Sequence, residues 1–128
     1  MIFTSYFNNQ FRVPLRSVSV CLDKPEGLHC ERFLALAPTS KMIELANSGR
    51  FDKFSELYYS HVLTRLDPFA TYHELDGSVL LGWEKPGGFC HRHIVASWLE
   101  HAVGLPVLEL DDATAAALAT WHALKKIA

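Results

Sequence analysis

Ser78-Val79-Leu80-Leu81-Gly82-Trp83, then Glu84-Lys85-Pro86-Gly87-Gly88-Phe89, then Cys90-His91-Arg92-His93 is the stretch that decides the fold. Its first part is continuously apolar, as in a strand covered on both faces. Asp76-Gly77 just before it is a turn signal. Beyond the Gly-Gly loop, Ile94, Val95, Trp98, Leu99 and Ala102 recur at the helical period. The spacing predicts a helix from Cys90 or His91 to Val103, stopped by Gly104 and Pro106, with Trp98 mostly buried on the sheet. Val107-Leu108-Glu109-Leu110 then reads as a short strand. Strand, loop, helix, strand is a βαβ unit, and such a crossover implies parallel, right-handed pairing.

The flanking sequence extends this pattern. Ile2 to Phe7 is β-branched and aromatic, ends at Asn8-Asn9, and reads as a buried strand. In Arg16 to Leu22, Val18, Val20 and Leu22 alternate with Ser17, Ser19 and Cys21, a second strand with a small-residue face. Asp23-Lys24-Pro25-Glu26-Gly27 breaks the chain, and Phe33 to Ala37, stopped by Pro38, is expected as a third strand. Thr39 or Ser40 is placed to cap a helix whose apolar face is Met42, Ile43, Leu45 and Ala46. Phe51 to Leu66 is expected as a longer helix carrying Phe54, Leu57, Tyr58 and Val62 on one stripe. Asp111 or Asp112 caps a last helix to Lys126, with Lys125 and Lys126 complementing its dipole. The expected class is α/β: one domain over residues 1–128, a small three-layer sandwich with a mostly parallel, Rossmann-like sheet. An α+β arrangement competes, because only about ten residues join the first two strands, short for a helical crossover.

Composition narrows the function classes. A chain of 128 residues, 49% hydrophobic and 20% charged, is neither disordered, a coiled coil nor a low-complexity tail. A net charge of −2 argues against a basic duplex-DNA module, although a local patch leaves nucleic acid open as a partner. No apolar run approaches the roughly 20 residues that span a bilayer, and Met1 to Asn9 lacks the parts of a secretion signal. A cytoplasmic location and no membrane partner are therefore expected. Cys21, Cys30 and Cys90 are odd in number and form no closely spaced framework, which fits a reducing compartment. Cys21, inside an apolar run, reads as a small core residue.

The chemistry concentrates between Gly82 and His93, where a strand's carboxyl end feeds a helix N-terminus. Ligands of open α/β sheets bind at such places. The first helical turn offers unpaired N–H groups and positive potential. Gly87 and Gly88 would let a phosphate or carboxylate approach the backbone, and Arg92 would add a bidentate fork. An anionic or nucleotide-like ligand is thus expected at Gly87, Gly88 and Arg92, with His93 and Trp83 as further ligand-binding residues. Cys90 sits in the setting of a reactive thiol, with Glu84 as general acid/base or ribose-hydroxyl acceptor and His91 as acid or base. Arg92 and Glu84 are expected to line one pocket with Cys90, and protonation of His91 or His93 to strengthen anion binding from about pH 7.5 to 6. His91 and His93 face opposite ways on a helix and no second C-x-x-C pair follows, so neither a metal nor a cofactor is expected. The plain alternative is an ordinary turn, a buried thiol, and Arg92 paired to Glu84 or Glu100.

Leu80 to His93, followed by Ala96-Ser97-Trp98-Leu99, resembles the signature of the domain of unknown function 488 family. There an apolar strand ends in cysteine-x-glutamate, and a cysteine-histidine-arginine triplet opens the next helix. Leu36-Ala37-Pro38-Thr39, Thr4-Ser5-Tyr6-Phe7 and Ser17-Val18-Ser19 resemble further pieces of it, so the likeness runs over residues 1–110. It implies a compact bacterial or phage α/β domain without an agreed activity, and singles out Glu84, Cys90, His91 and Arg92. One departure is Gly82, where the family often has a cysteine; a two-cysteine pair with Cys90 is impossible at that position here.

Three functions compete. The first is a small enzyme or sensor for a nucleotide-like or other anionic ligand. The second is a non-catalytic protein- or nucleic-acid-binding module anchored by aromatics such as Tyr6, Phe7, Tyr58, Tyr59 and Trp83. The third is thiol redox chemistry, weakened by the missing partner cysteine.

Overall fold

The computed structural model describes residues 1–9 and 14–127. Strands β1 (Ile2–Tyr6), β2 (Arg16–Ser19), β3 (Glu31–Arg32), β4 (Ser78–Gly82) and β5 (Val107–Glu109) form one sheet in the order β3-β2-β4-β1-β5. Every pairing is parallel, so the class is α/β. The short connection between β1 and β2 does not make them an antiparallel pair, because β4 lies between them and pairs with both.

The helices are α1 (Ser40–Asn47), α2 (Phe51–His61), α3 (Pro68–Leu75), α4 (His91–Val103) and α5 (Asp112–Ile127). Side chains of β4 alternate between two cores. Leu80 faces the larger one, shared with Val18, Tyr58, Val95 and Leu99 under α1 to α4. Val79 and Leu81 face the smaller one, shared with Phe7, Leu110 and Ala115 under α5. Burying leucines like these contributes about 1.5–3 kcal/mol each. Gly104, at φ 81°, ends α4 in the left-handed conformation expected of its glycine.

Several boundaries differ from the sequence expectation. Phe33 to Ala37 is not a strand; Leu34–Leu36 makes a 3-10 turn, with Leu36 buried and its carbonyl accepting from Tyr58 Oη at 2.6 Å. The third strand is the two-residue β3, whose Glu31 and Arg32 are exposed. Charge on an edge strand blocks further pairing and leaves no apolar pattern to read. The helix expected to reach Leu66 stops at His61, and Leu63–Arg65 continues as a 3-10 turn. The sequence reading did not anticipate α3, although Asp67 caps Phe69 N at 3.0 Å and Pro68 stands in its first turn. Trp98 is half-buried at the core margin, because Val95 and Leu99 take the inward positions. Asp111 is the residue that caps α5, accepting from Thr114 N at 2.8 Å. Lys125 lies over the Trp121 ring at 4.6 Å, and the Lys126 side chain falls outside what is described.

Candidate functional site

Cys90 is the N-cap of α4, in extended conformation, and its side chain makes no capping bond. The next residues diverge because a helix turns about 100° per residue. His91 turns under β2. Its Nε2 donates to the Val20 carbonyl at 2.6 Å, the tautomer that the acceptor requires. Its Nδ1 lone pair then lies 4.0 Å from Cys90 Sγ. Burial, only partly countered by the Val20 carbonyl, pushes the pKa of His91 down to about 4, so the ring is neutral near pH 7.

Arg92 turns the other way, toward β5, and is 0% exposed. Its Nε and Nη2 donate to the Glu109 carboxylate at 3.1 and 2.7 Å. Thr4 Oγ1 donates to the same carboxylate at 2.7 Å. Burial alone would lower the pKa of Arg92, but the carboxylate more than offsets it and holds the cation. Burial alone would raise that of Glu109, yet Arg92 and Thr4 hold it below the usual carboxylate range. The third guanidinium nitrogen, Nη1, has no hydrogen-bond partner among the described residues. It approaches Cys90: a Cβ on Gly82 would stand 3.1 Å from Nη1 and 2.6 Å from Cys90 Sγ. Glycine at 82 is what leaves room for the sulfur and the guanidinium to meet.

Cys90 and His91 belong to a pocket of about 300 Å³. It opens where β2 and β4 end, neighbours whose onward chains leave for opposite edges of the sheet. Cys21, Cys90 and His91 are its buried floor; Phe54, Trp83 and Phe89 are aromatic walls; Asp23 and Glu84 stand exposed at the rim. Phe89 is stacked on Phe51 with centroids 4.3 Å apart. Trp83 meets Phe7 edge-on and donates Nε1 to the Asp23 carbonyl at 3.0 Å.

Of the residues singled out from the sequence, Cys90, His91, Glu84 and Trp83 surround this pocket. Gly87, Gly88, Arg92 and His93 do not line it. Gly88 N–H donates to the Lys85 carbonyl at 2.9 Å, so it is spent within the turn that Gly87 makes at φ 90°. Arg92 shares no pocket with Glu84, and its partner is Glu109 rather than Glu84 or Glu100. Glu100 instead accepts from Val107 N at 2.7 Å. His93 lies on the far side of α4, beside Trp98 and His101, with burial lowering its pKa. His91 therefore stays neutral from pH 7.5 to 6, against the expectation that its protonation strengthens anion binding there. Among the described lining residues are two carboxylates and no lysine or arginine. Tyr6, Phe7 and Tyr58 are buried, which removes them as surface anchors; Tyr59 and Trp83 remain exposed.

Sequence reasoning missed Cys21, Asp23 and Glu109. Cys21 and Asp23 reach the pocket only because β2 lies beside β4, and Glu109 meets Arg92 only because α4 crosses to β5. The thiol of Cys21 donates to the Leu81 carbonyl at 3.7 Å. Burial, and next the nearby Cys90, push its pKa up to about 12.

No family model, curated protein or solved structure matches this chain. The likeness to the domain of unknown function 488 family thus rests on the motifs quoted above. No helix among the described residues is long and apolar enough to cross a membrane.

Proposed function

We propose that this protein is a small thiol enzyme of the cytosol, with Cys90 as its nucleophile and a nucleoside-like molecule as its ligand. The observation that carries this reading is Arg92 Nη1, buried, without a hydrogen-bond partner among the described residues, and sharing with Cys90 Sγ the space that a Cβ on Gly82 would fill. A buried cationic donor without an acceptor is costly. Negative charge that develops on the Cys90 sulfur as it reacts would be met by this donor. Glu109 and Thr4 hold the guanidinium in position through its other two nitrogens. His91, neutral near pH 7, stands with Nδ1 4.0 Å from Cys90 Sγ and brings no second charge to the site.

Ligand class follows from the walls. Trp83 and Phe89 suit a flat ring, and the Asp23 and Glu84 carboxylates suit hydroxyl or amino donors. Two carboxylates at the rim disfavour a phosphate, so the nucleotide-like expectation keeps its nucleoside half and loses its anion. The test is alkylation by iodoacetamide at pH 7 in a Cys30→Ser background, followed by peptide mass spectrometry. Cys90 is expected to label ahead of Cys21 and to be protected by adenosine or guanosine. Labelling of Cys90 no faster than that of Cys21 would overturn the nucleophile. Unchanged labelling with every nucleoside would overturn the ligand class.

A further inference from the structure

We infer that Cys21 and Cys90 form a reversible dithiol–disulfide couple, in which Cys90 reacts first with a hydroperoxide and Cys21 resolves the product. The inference rests on the nucleophile assigned to Cys90 above and adds a second thiol to the same site. Gly82, beside Cys90, has no side chain to pair with it. Tertiary structure supplies a different partner, from another strand.

Both sulfurs are free, both line the pocket floor, and each lies beside the end of β4. Cys21 Sγ lies 3.7 Å from the Leu81 carbonyl oxygen, and Cys90 Sγ lies 2.6 Å from where a Cβ on Gly82 would sit. The chain segments that carry them are tied together beside the sulfurs. Val20, which precedes Cys21, accepts at 2.6 Å from His91, which follows Cys90. Cys21 N–H is also held, donating to Ser19 Oγ at 3.3 Å. The two thiols differ in the way a reacting and a resolving cysteine should. Cys90 has beside it a cationic donor without a hydrogen-bond partner among the described residues. Cys21 stays protonated in apolar surroundings and does not compete for the first step.

The chemistry balances. The Cys90 thiol gives its proton to solvent, the thiolate attacks the hydroperoxide's outer oxygen, the O–O bond breaks, and the alkoxide or hydroxide takes a proton from solvent and leaves as alcohol or water. Sulfur is oxidised to sulfenic acid and the peroxide is reduced. Cys21 then attacks the Cys90 sulfur; the S–S bond forms, the S–O bond breaks, and the Cys21 proton leaves with the hydroxide as water. A small thiol returns both cysteines to the reduced state by exchange. A neutral, compact hydroperoxide passes an acidic rim that repels anions.

The experiment uses the reduced full chain with stoichiometric hydrogen peroxide, followed by iodoacetamide in denaturant. Trypsin with a glutamate-specific protease separates the three cysteines for non-reducing mass spectrometry. The expected result is one linkage between the Cys21 and Cys90 peptides, reversed by dithiothreitol, with Cys30 alkylated. Cys21→Ser should trap Cys90 as a sulfenic acid that dimedone captures. Wild-type Cys90 captured by dimedone while Cys21 stays alkylated would overturn the couple and leave the nucleophile standing. A linkage through Cys30 would overturn the couple as well. Cys90 recovered alkylated, with neither a linkage nor a dimedone adduct, would overturn the couple, and if it is also no faster than Cys21 in native alkylation the proposed nucleophile falls with it.

Discussion

Two polar clusters flank the start of α4, one built on His91 and one on Arg92. These consecutive residues solve burial in opposite ways. His91 gives up its charge: neutral, it needs only the Val20 carbonyl and leaves a lone pair toward Cys90. Arg92 keeps its charge, which demands Glu109 and, behind it, Thr4. A buried group whose pKa lies near neutrality escapes the desolvation cost by losing its proton; a guanidinium cannot and must be paired. The pocket floor therefore carries a neutral imidazole, and the Arg92 guanidinium comes near Cys90 through a single nitrogen.

The largest expected effect breaks the charged cluster. Arg92→Ala strands the Glu109 carboxylate, 23% exposed, and should cost about 3–5 kcal/mol in chemical denaturation. A loss below about 1 kcal/mol would mean that water reaches Glu109 and that the two clusters are not the opposites described.

The neutral cluster is broken by acid. The folded pKa of His91 is about 4, against about 6.5 in the unfolded chain. The unfolded state takes its proton first, so stability falls as pH drops from about 6.5 to 4, by up to about 3 kcal/mol. Glu109 behaves differently: its contribution is present above the ordinary carboxylate pKa and fades only as pH falls through its lower folded value. His91→Gln should flatten the upper part of the profile while sparing the lower. An unchanged profile would show that His91 is not the neutral partner.

Gly82→Ala strikes both clusters at once, since its Cβ would stand 2.6 Å from Cys90 Sγ and 3.1 Å from Arg92 Nη1. Overpacking of this kind costs about 1–3 kcal/mol and should alter the alkylation rate of Cys90. No change in that rate would separate the sulfur from the guanidinium.

Trp83→Ala, at the exposed rim, should cost least, about 0.5–1.5 kcal/mol for the lost edge contact and hydrogen bond. Nucleoside protection of Cys90 should weaken in the same variant. A larger stability loss than that of Gly82→Ala would move Trp83 from the wall of the pocket into the support of the fold.

Much of this was readable in the chain. The Gly-Gly loop, the periodicity from Ile94 and the Gly104 stop placed Cys90 at a helix start, where it is the N-cap of α4. The opposition of His91 and His93 also followed from helical geometry alone. What could not be read was which side each residue would find. β3 escaped because two charged edge residues carry no apolar rhythm. Arg92 reads as a ligand contact because its carboxylate, Glu109, stands on a strand reached only after α4 has crossed β1.

The sequence by itself determined the parallel βαβ unit, the apolar faces and the clustering of Cys90, His91 and Arg92, because hydrophobic period, caps and turns act over a few residues. Only the tertiary structure decided that Cys21 joins the pocket, that Glu109 takes Arg92, and that carboxylates rather than cations stand at the rim. Those contacts join residues far apart in the chain, and strand order, which brings them together, is set by how whole faces bury rather than by any local pattern.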